Sequence, residues 1–180
     1  MSKQKKIVGG FLVIGVVTFI ILLAKNISSN PGTQSIASVN NNTISKSVYQ
    51  KRLAETESFY KWGDQNVKNI SSLKGDVLDK LIDEEIIKDY AEKNKITVTA
   101  NEIENRYKQV VAGYNKNNSI TGGGDSAFLT KIKDMYGTQK EDYLQQLAYD
   151  ILRDKVQTAV KMPITKWLES QKKSADIKRY

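Results

Sequence analysis

Residues 77–104, VLDKLIDEEIIKDYAEKNKITVTANEIE, decide the fold of this chain. From Val77 to Ala91, apolar side chains recur three and four positions apart, while acidic and basic side chains fill the positions between them. This period is that of an α-helix that buries one side. The sequence therefore predicts a long amphipathic helix, and we expect the other helices of the domain to pack against its apolar face.

The end of the same stretch predicts a corner between two helices. Residues 96–99 are all β-branched, which favours a short extended segment. Thr99 lies three residues before Glu102, the spacing of a capping box, in which each side chain bonds the backbone amide of the other residue. Val98 and Ile103 flank the cap as a hydrophobic staple. A second helix therefore starts after Thr99.

The two ends of the folded part both read as strands. Ser35–Val39 is followed by an Asn turn at 40–42, and a helix is predicted to start near Ser45. Residues 175–180, ADIKRY, alternate between polar and apolar. Because a lone strand leaves its backbone groups unpaired, we expect these two segments to pair with each other.

Three further helices are predicted before the last strand. The first covers Ser126–Tyr136 and ends at Gly137, the position of a helix C′ glycine. Thr138 lies three before Glu141 and predicts a second capping box, followed by a long helix that stops near Pro163. The last helix starts at this proline. We expect the helices that start near Ser45, Thr99 and Thr138 to cover the long helix of residues 77–91.

The amino-terminal segment predicts a membrane anchor. Residues 7–24 contain no charge and, as a helix, measure about 27 Å, close to the ~30 Å hydrocarbon core of a bilayer. Three lysines precede this segment, and only Lys25 follows closely, so the positive-inside rule places the amino terminus in the cytoplasm. The expected order is a cytoplasmic tail (1–6), a transmembrane helix (7–24), a linker (25–34) and an extracytoplasmic domain (35–180). A cleaved signal peptide is the alternative, although Leu22 and Ala24 form a poor cleavage site.

The composition excludes most catalytic chemistry. The 180 residues contain no His and no Cys, so nucleophile–histidine pairs and thiolate sites are absent. The acidic run Asp83, Glu84 and Glu85 lies on the predicted helix, where we expect it to be solvated. No calcium-loop motif, phosphate-binding loop or nucleic-acid-binding motif occurs, and the net charge of +8 is dispersed. We therefore expect no catalytic residue, no cofactor, no metal and no nucleic-acid partner.

The aromatic residues supply the candidate binding surface. Nine Tyr accompany four Phe and two Trp, and a tyrosine can bury its ring while its hydroxyl stays in water. Near predicted helix ends these side chains, with one methionine, are candidates for contact with extended apolar polypeptide, although core packing is the alternative for each. The candidate peptide-binding residues are Phe59, Tyr60, Trp62, Tyr114, Met135 and Tyr136.

Three segments together resemble the amino-terminal chaperone domain of SurA- and PrsA-type folding factors. They are SIASVNNNTISKSVYQKRL (35–53), the stretch at 77–104, and YGTQKEDYLQQLAYDILRDKV (136–156). One departure is that Asn41 or Asn42 stands where the family usually has glycine. Another is that only twenty-four residues follow Val156, too few for a parvulin isomerase domain.

This resemblance implies a chaperone module without the catalyst. The expected fold is mainly α: an amino-terminal transmembrane helix, then a SurA N-terminal-like helical domain with a small two-stranded pairing of its termini. The expected function is that of a membrane-anchored extracytoplasmic chaperone whose partners are unfolded or newly exported polypeptides. The alternatives are a peptidyl-prolyl isomerase-related folding factor, or a non-catalytic partner of one, and an envelope adaptor protein.

Overall fold

The computed structural model describes residues 34–63, 70–119 and 124–180, which form a mainly helical domain. The predicted basic tail (1–6), the transmembrane segment (7–24) and nearly all of the linker (25–34) lie outside these ranges. No helix within them is long and apolar enough to span a bilayer. The elements are β1 (Ser35–Val39), β2 (Asn42–Ser45), α1 (Lys46–Trp62), α2 (Ile70–Lys93), α3 (Ala100–Asn117), α4 (Ser126–Tyr136), α5 (Lys140–Val160), α6 (Ile164–Ser174) and β3 (Ile177–Arg179).

Helix α2 is the centre of the main core, and it is buried on two sides. Val77 and Leu81 are buried on one side, while Ile82 and Ile86 are buried about 100–180° further round the helix. Helices α1, α5 and α6 and the strands β1 and β2 cover these two sides. The apolar residues predicted to be buried are therefore confirmed, but burial extends beyond the one predicted face and includes Glu84 among the charged positions.

Helix α3 takes a different place from the predicted one. It packs mainly on α5 and α4, away from α2. Together these three helices enclose a second apolar cluster of Tyr107, Phe128, Ile132 and Leu147. Besides α1 and α5, helix α2 contacts α6 and the strands β1 and β2. An amphipathic pattern predicts that a helix has a buried side, but it does not say which neighbour covers that side.

The predicted corner between α2 and α3 is confirmed. The Thr99 amide donates to Glu102 Oε2 at 2.8 Å, and the Glu102 amide donates to Thr99 Oγ1 at 3.3 Å. Val98 is fully buried, and Ile103 is packed against the same core, as expected of a hydrophobic staple. Lys155 on α5 lies 2.6 Å from Glu102 Oε1, which also ties the corner to α5.

The sheet confirms the pairing of the two ends and adds a third strand. β1 and β3 pair antiparallel, with Val39 opposite Ile177. β2, which was not predicted, pairs with the other side of β1 through a hairpin, so the order is β2-β1-β3. Ile44 on β2 is only 3% exposed, and its burial in the main core gives this short strand its register.

Asn40 in the hairpin turn connects three parts of the fold. Its backbone is left-handed, with φ 53°, a conformation that asparagine tolerates. Its side chain donates to Asp89 Oδ2 on α2 at 3.0 Å and accepts from the Asp176 amide at 3.1 Å. The Asn40 amide donates to the Asp176 carbonyl at 2.8 Å. This one residue therefore fixes the hairpin, the long helix and the start of β3 relative to each other.

Of the two predicted helix ends around residue 137, one is confirmed and one is wrong. Gly137 follows α4 with φ 67°, the left-handed conformation that a C′ glycine supplies. The capping box of Thr138 and Glu141 does not form, because α5 starts one residue later and its N-cap is Gln139. The Thr138 hydroxyl instead donates to Asp142 Oδ2 at 3.3 Å.

Replacing Asn40 by Gly tests its connecting role. Glycine keeps the left-handed turn but removes both side-chain hydrogen bonds, one of them to a carboxylate, so we expect a loss of about 1–3 kcal/mol in the free energy of unfolding. Urea denaturation followed by circular dichroism measures the change. Asn41→Gly is the matched control. Asn41 is exposed, so its replacement should lower the free energy of unfolding only by the added entropy of the unfolded chain, up to about 1 kcal/mol. Equal losses in the two variants would refute the role.

Candidate functional site

Three aromatic rings form a row across the surface between α1 and α4. Trp62 stacks on Phe59, with ring centroids 6.5 Å apart and an interplanar angle of 29°. Phe59 in turn stacks on Tyr136, with centroids 5.3 Å apart and an angle of 8°. We call Trp62, Phe59 and Tyr136 the aromatic row.

The row arises because the end of α1 packs antiparallel on α4. Phe59 meets Tyr136, and Trp62, one turn further along α1, meets Lys131, about one turn earlier on α4. Phe59 and Trp62 are three residues apart and therefore lie on the same face of α1. Tyr136 is the last residue of α4, since Gly137 turns the chain away beside Ser58.

Much of the row faces solvent. The Phe59 side chain is 37% exposed and the Trp62 side chain 45% exposed. None of the seventeen residues of α1 is fully buried, although Tyr49 and Leu53 are packed against the main core. Two large apolar side chains exposed side by side offer a small apolar patch for contact with a partner.

Lys131 adds a positive charge at the Trp62 end of the row. Its Nζ lies 3.7 Å from the centroid of the indole ring, a cation–π contact worth about 0.5–2 kcal/mol. This contact restrains the orientation of Trp62 and leaves its ammonium group at the rim of the row.

The other predicted binding residues lie at different depths. Tyr60 points towards the main core, although its ring is still edge-on to Phe59 at 6.1 Å. Met135 on α4 is half-buried beside Tyr136. Tyr114 packs edge-on against Phe128 at 5.5 Å, in the second apolar cluster. Sequence reasoning selected all three members of the row, but not the contact between them.

A cluster of charged side chains supports the middle of α1. Arg52 on α1 donates to both carboxylate oxygens of Glu84 on α2. Lys51 is hydrogen-bonded to Asp142 on α5, and Glu55 lies 3.6 Å from Arg52 Nε. We call Lys51, Arg52, Glu55, Glu84 and Asp142 the polar layer. It links α1 to the main core through Glu84 and to the start of α5 through Asp142.

Glu84 corrects a prediction. It was assigned to a solvated face together with Asp83 and Glu85, but it is only 7% exposed. A signal in the sequence marks this burial: Glu84 is seven residues from both Val77 and Ala91, so it shares their buried stripe. The carboxylate is tolerated there because the planar guanidinium of Arg52 meets it with two hydrogen bonds.

Two carboxyl groups of the polar layer have shifted pKa values of opposite sign. Burial raises the pKa of Glu55 above its ordinary value of 4.5, against the lowering effect of Lys51 and Arg52. The hydrogen bond from Lys51 lowers the pKa of Asp142 below its ordinary value of 3.8, against the effect of desolvation. Folding therefore favours the charged form of Asp142 and the neutral form of Glu55.

The aromatic row is a surface suited to binding another polypeptide. Across 34–63, 70–119 and 124–180, no group of three or more acidic, His or Cys side chains is placed to hold a metal ion. The aromatic row, in contrast, presents apolar ring surface with a cation at its rim. Such a surface suits apolar or aromatic side chains of another polypeptide.

Arg52→Met tests the polar layer. Removing the guanidinium leaves the buried Glu84 carboxylate unpaired, so we expect a loss of about 3 kcal/mol or more in the free energy of unfolding. Arg106→Met is the matched control, since Arg106 pairs with Asp154 at 3.4 Å on an exposed surface, where a pair contributes at most about 1 kcal/mol. In the double variant Arg52→Met/Glu84→Met, most of the lost stability should return. A double variant as unstable as Arg52→Met would show that the pair is not the cause.

Asp142→Asn tests the pKa shift at Asp142. Because its folded pKa is lowered, the contribution of this carboxylate is complete above its ordinary value of 3.8 and is lost as the pH falls through the lower folded pKa. The variant should therefore be less stable at neutral pH and lose less stability below pH 3.8. Urea midpoints measured from neutral pH down to acid provide the test, and parallel curves for the two proteins would contradict it.

Comparison with known proteins completes the description of the site. A family model described as the SurA-like N-terminal domain matches residues 1–157. No curated protein gives a significant match to the chain. The SurA N-terminal domain is the non-catalytic part of a chaperone-related family, and no catalytic domain is matched. This chain belongs to the family of SurA-like N-terminal domains.

Proposed function

We propose that the protein is a membrane-anchored extracytoplasmic chaperone that holds unfolded or newly exported polypeptides without catalysis. Residues 7–24 form the anchor in this proposal, with the amino terminus in the cytoplasm and the main domain outside the membrane. Membership of a chaperone-related family supports the general class of function.

The aromatic row is the observation on which the proposal depends. An unfolded client exposes apolar side chains that a folded protein has buried, and these pack favourably against exposed rings. Contacts with the faces of aromatic rings are largely non-directional, so such rings accept side chains of different shapes. Its rigid stacking lowers the entropy cost of binding, because Phe59 and Trp62 are already oriented by Tyr136 and Lys131.

The size of the row predicts weak and reversible holding. The exposed parts of Phe59 and Trp62 amount to roughly 160 Å², which corresponds to on the order of 4 kcal/mol of apolar burial. Association itself costs about 4 kcal/mol or more in translational and rotational freedom, so a contact of this size does not hold a client by itself. A client is therefore retained only when several of its segments are engaged, and it is released as it folds and buries its apolar residues.

Replacing the exposed part of the row tests the proposal. We expect Phe59→Ser/Trp62→Ser to weaken binding of a fluorescent unfolded polypeptide about tenfold, a loss of ~1.4 kcal/mol, and to reduce suppression of client aggregation. Fluorescence anisotropy and light scattering with the full chain in detergent measure the two effects. Met162→Ser is the matched control, because Met162 is 46% exposed at the turn between α5 and α6. Equal effects of both changes, or no binding by the parent chain, would overturn the proposal.

Photo-crosslinking in cells separates a chaperone from an envelope adaptor. A photoreactive amino acid at position 62 should trap many different polypeptides if the protein is a chaperone, whereas an adaptor would give one or two products. A proline-isomerisation assay on the same chain, in which we expect no activity, separates the proposal from an isomerase-related function.

A further inference from the structure

The domain has a distinct surface where residues 1–33 join it. Gln34 accepts from the Lys46 amide at 2.9 Å and from Lys46 Nζ at 3.1 Å. On the other side of β1, the Tyr180 amide donates to the Ile36 carbonyl at 2.9 Å. Lys46 and Tyr180 therefore lie on the two sides of β1, about 10 Å apart across three strands.

The first turn of α1 and the first turns of α2 extend this surface. Val48 follows Lys46 in α1, and its amide donates to the N-cap Ser45. The next residue, Tyr49, donates its hydroxyl to the carbonyl of Lys74 on α2 at 3.4 Å. We define the entry face as Lys46, Lys74 and Tyr180; Val48 is about 200° round α1 from Lys46 and lies on the other flank of that helix.

The entry face combines an exposed tyrosine with exposed basic side chains. Tyr180 is 73% exposed. Lys46 and Lys74 are exposed, and neither is paired with a carboxylate of the described residues. The nearby Arg179 is neutralised by Asp79. Asp76 is about 200° round α2 from Lys74, on its other flank. A tyrosine and two lysines suit the interface of a membrane.

The length of the preceding chain keeps this face close to the bilayer. Only residues 25–33 separate the apolar segment at 7–24 from Gln34, and nine residues span at most about 30 Å. The attraction of a lysine to an anionic lipid surface is worth about 1 kcal/mol but extends only over a Debye length of ~8–10 Å. The connection makes the encounter of the face with the headgroups intramolecular, so its effective concentration there is high and two such lysines suffice to hold it.

We propose that the entry face docks on anionic lipid headgroups, an inference that depends on the proposed anchor at 7–24 but not on client binding. Tyr180 sits among the headgroups, and Lys46 and Lys74 meet their phosphates. Trp62 is sixteen residues from Lys46 along α1, a rise of about 24 Å, and lies about 160° further round the helix. Docking therefore turns the aromatic row away from the membrane, towards polypeptides in the extracytoplasmic space.

A single fluorescent label tests the docking, because the chain has no native cysteine. Ser47→Cys places the label on the entry face without removing any of its members, and Lys133→Cys places a control label on α4. The full chain is inserted into vesicles of phosphatidylcholine alone or with phosphatidylglycerol, each containing a nitroxide-headgroup lipid that quenches nearby fluorophores. We expect at least twofold stronger quenching at position 47 with phosphatidylglycerol, reduced in high salt, and no difference at position 133.

Charge reversal supplies the specificity control. Lys46→Glu/Lys74→Glu should abolish the additional quenching at position 47, whereas Lys95→Glu/Lys116→Glu, the same change at exposed lysines elsewhere, should leave it intact. Circular dichroism verifies that each variant keeps its helices. Equal quenching at position 47 in both kinds of vesicle, with the chain still floating with them, would overturn docking and leave the proposed chaperone function standing. A chain that does not float with either kind of vesicle would overturn both the anchor and the docking. Client binding is tested independently, by the fluorescence anisotropy assay described above.

Discussion

Burial of α2 on two opposite sides is the constraint on which the rest of the structure depends. A helix of this length has too much apolar surface for one neighbour to cover. Strands β1 and β2 and helix α1, from the amino-terminal part of the domain, therefore cover it together with α5 and α6, from the carboxyl-terminal part. This explains why the chain returns to place β3 beside β1. Asn40 secures the closure, since it bonds both α2 and the residue before β3.

This arrangement places one charged side chain among the elements that cover α2. Glu84 occupies a buried position of α2, and Arg52 must reach it from α1. Replacing such a pair by apolar side chains is often neutral for stability, so we infer that the pair acts mainly on the position of α1 relative to α2. That position determines which residues of α1 meet α4, and so where the aromatic row forms.

Helix α1 is only partly covered by its neighbours, so both of its ends are available for further contacts. Its middle is held by the polar layer, while exposed Val48 lies near its start and exposed Phe59 and Trp62 lie near its end. A straight helix separates these ends by about 21 Å. One rigid element thus relates the surface next to the entering chain to the proposed binding surface, and it sets the direction in which the row faces.

The sequence by itself determined the features that depend on neighbouring residues. The periodicity of α2, the capping box of Thr99, the glycine end of α4 and the alternation of β3 all involve side chains within a few positions of each other, and the structure has each of them. The tertiary structure alone decided the burial of Glu84, the third strand and the stack of Phe59 on Tyr136, seventy-seven residues apart. Local patterns identify candidate aromatic residues, but they contain no information on which helices meet. That choice follows from how the whole chain covers both sides of α2.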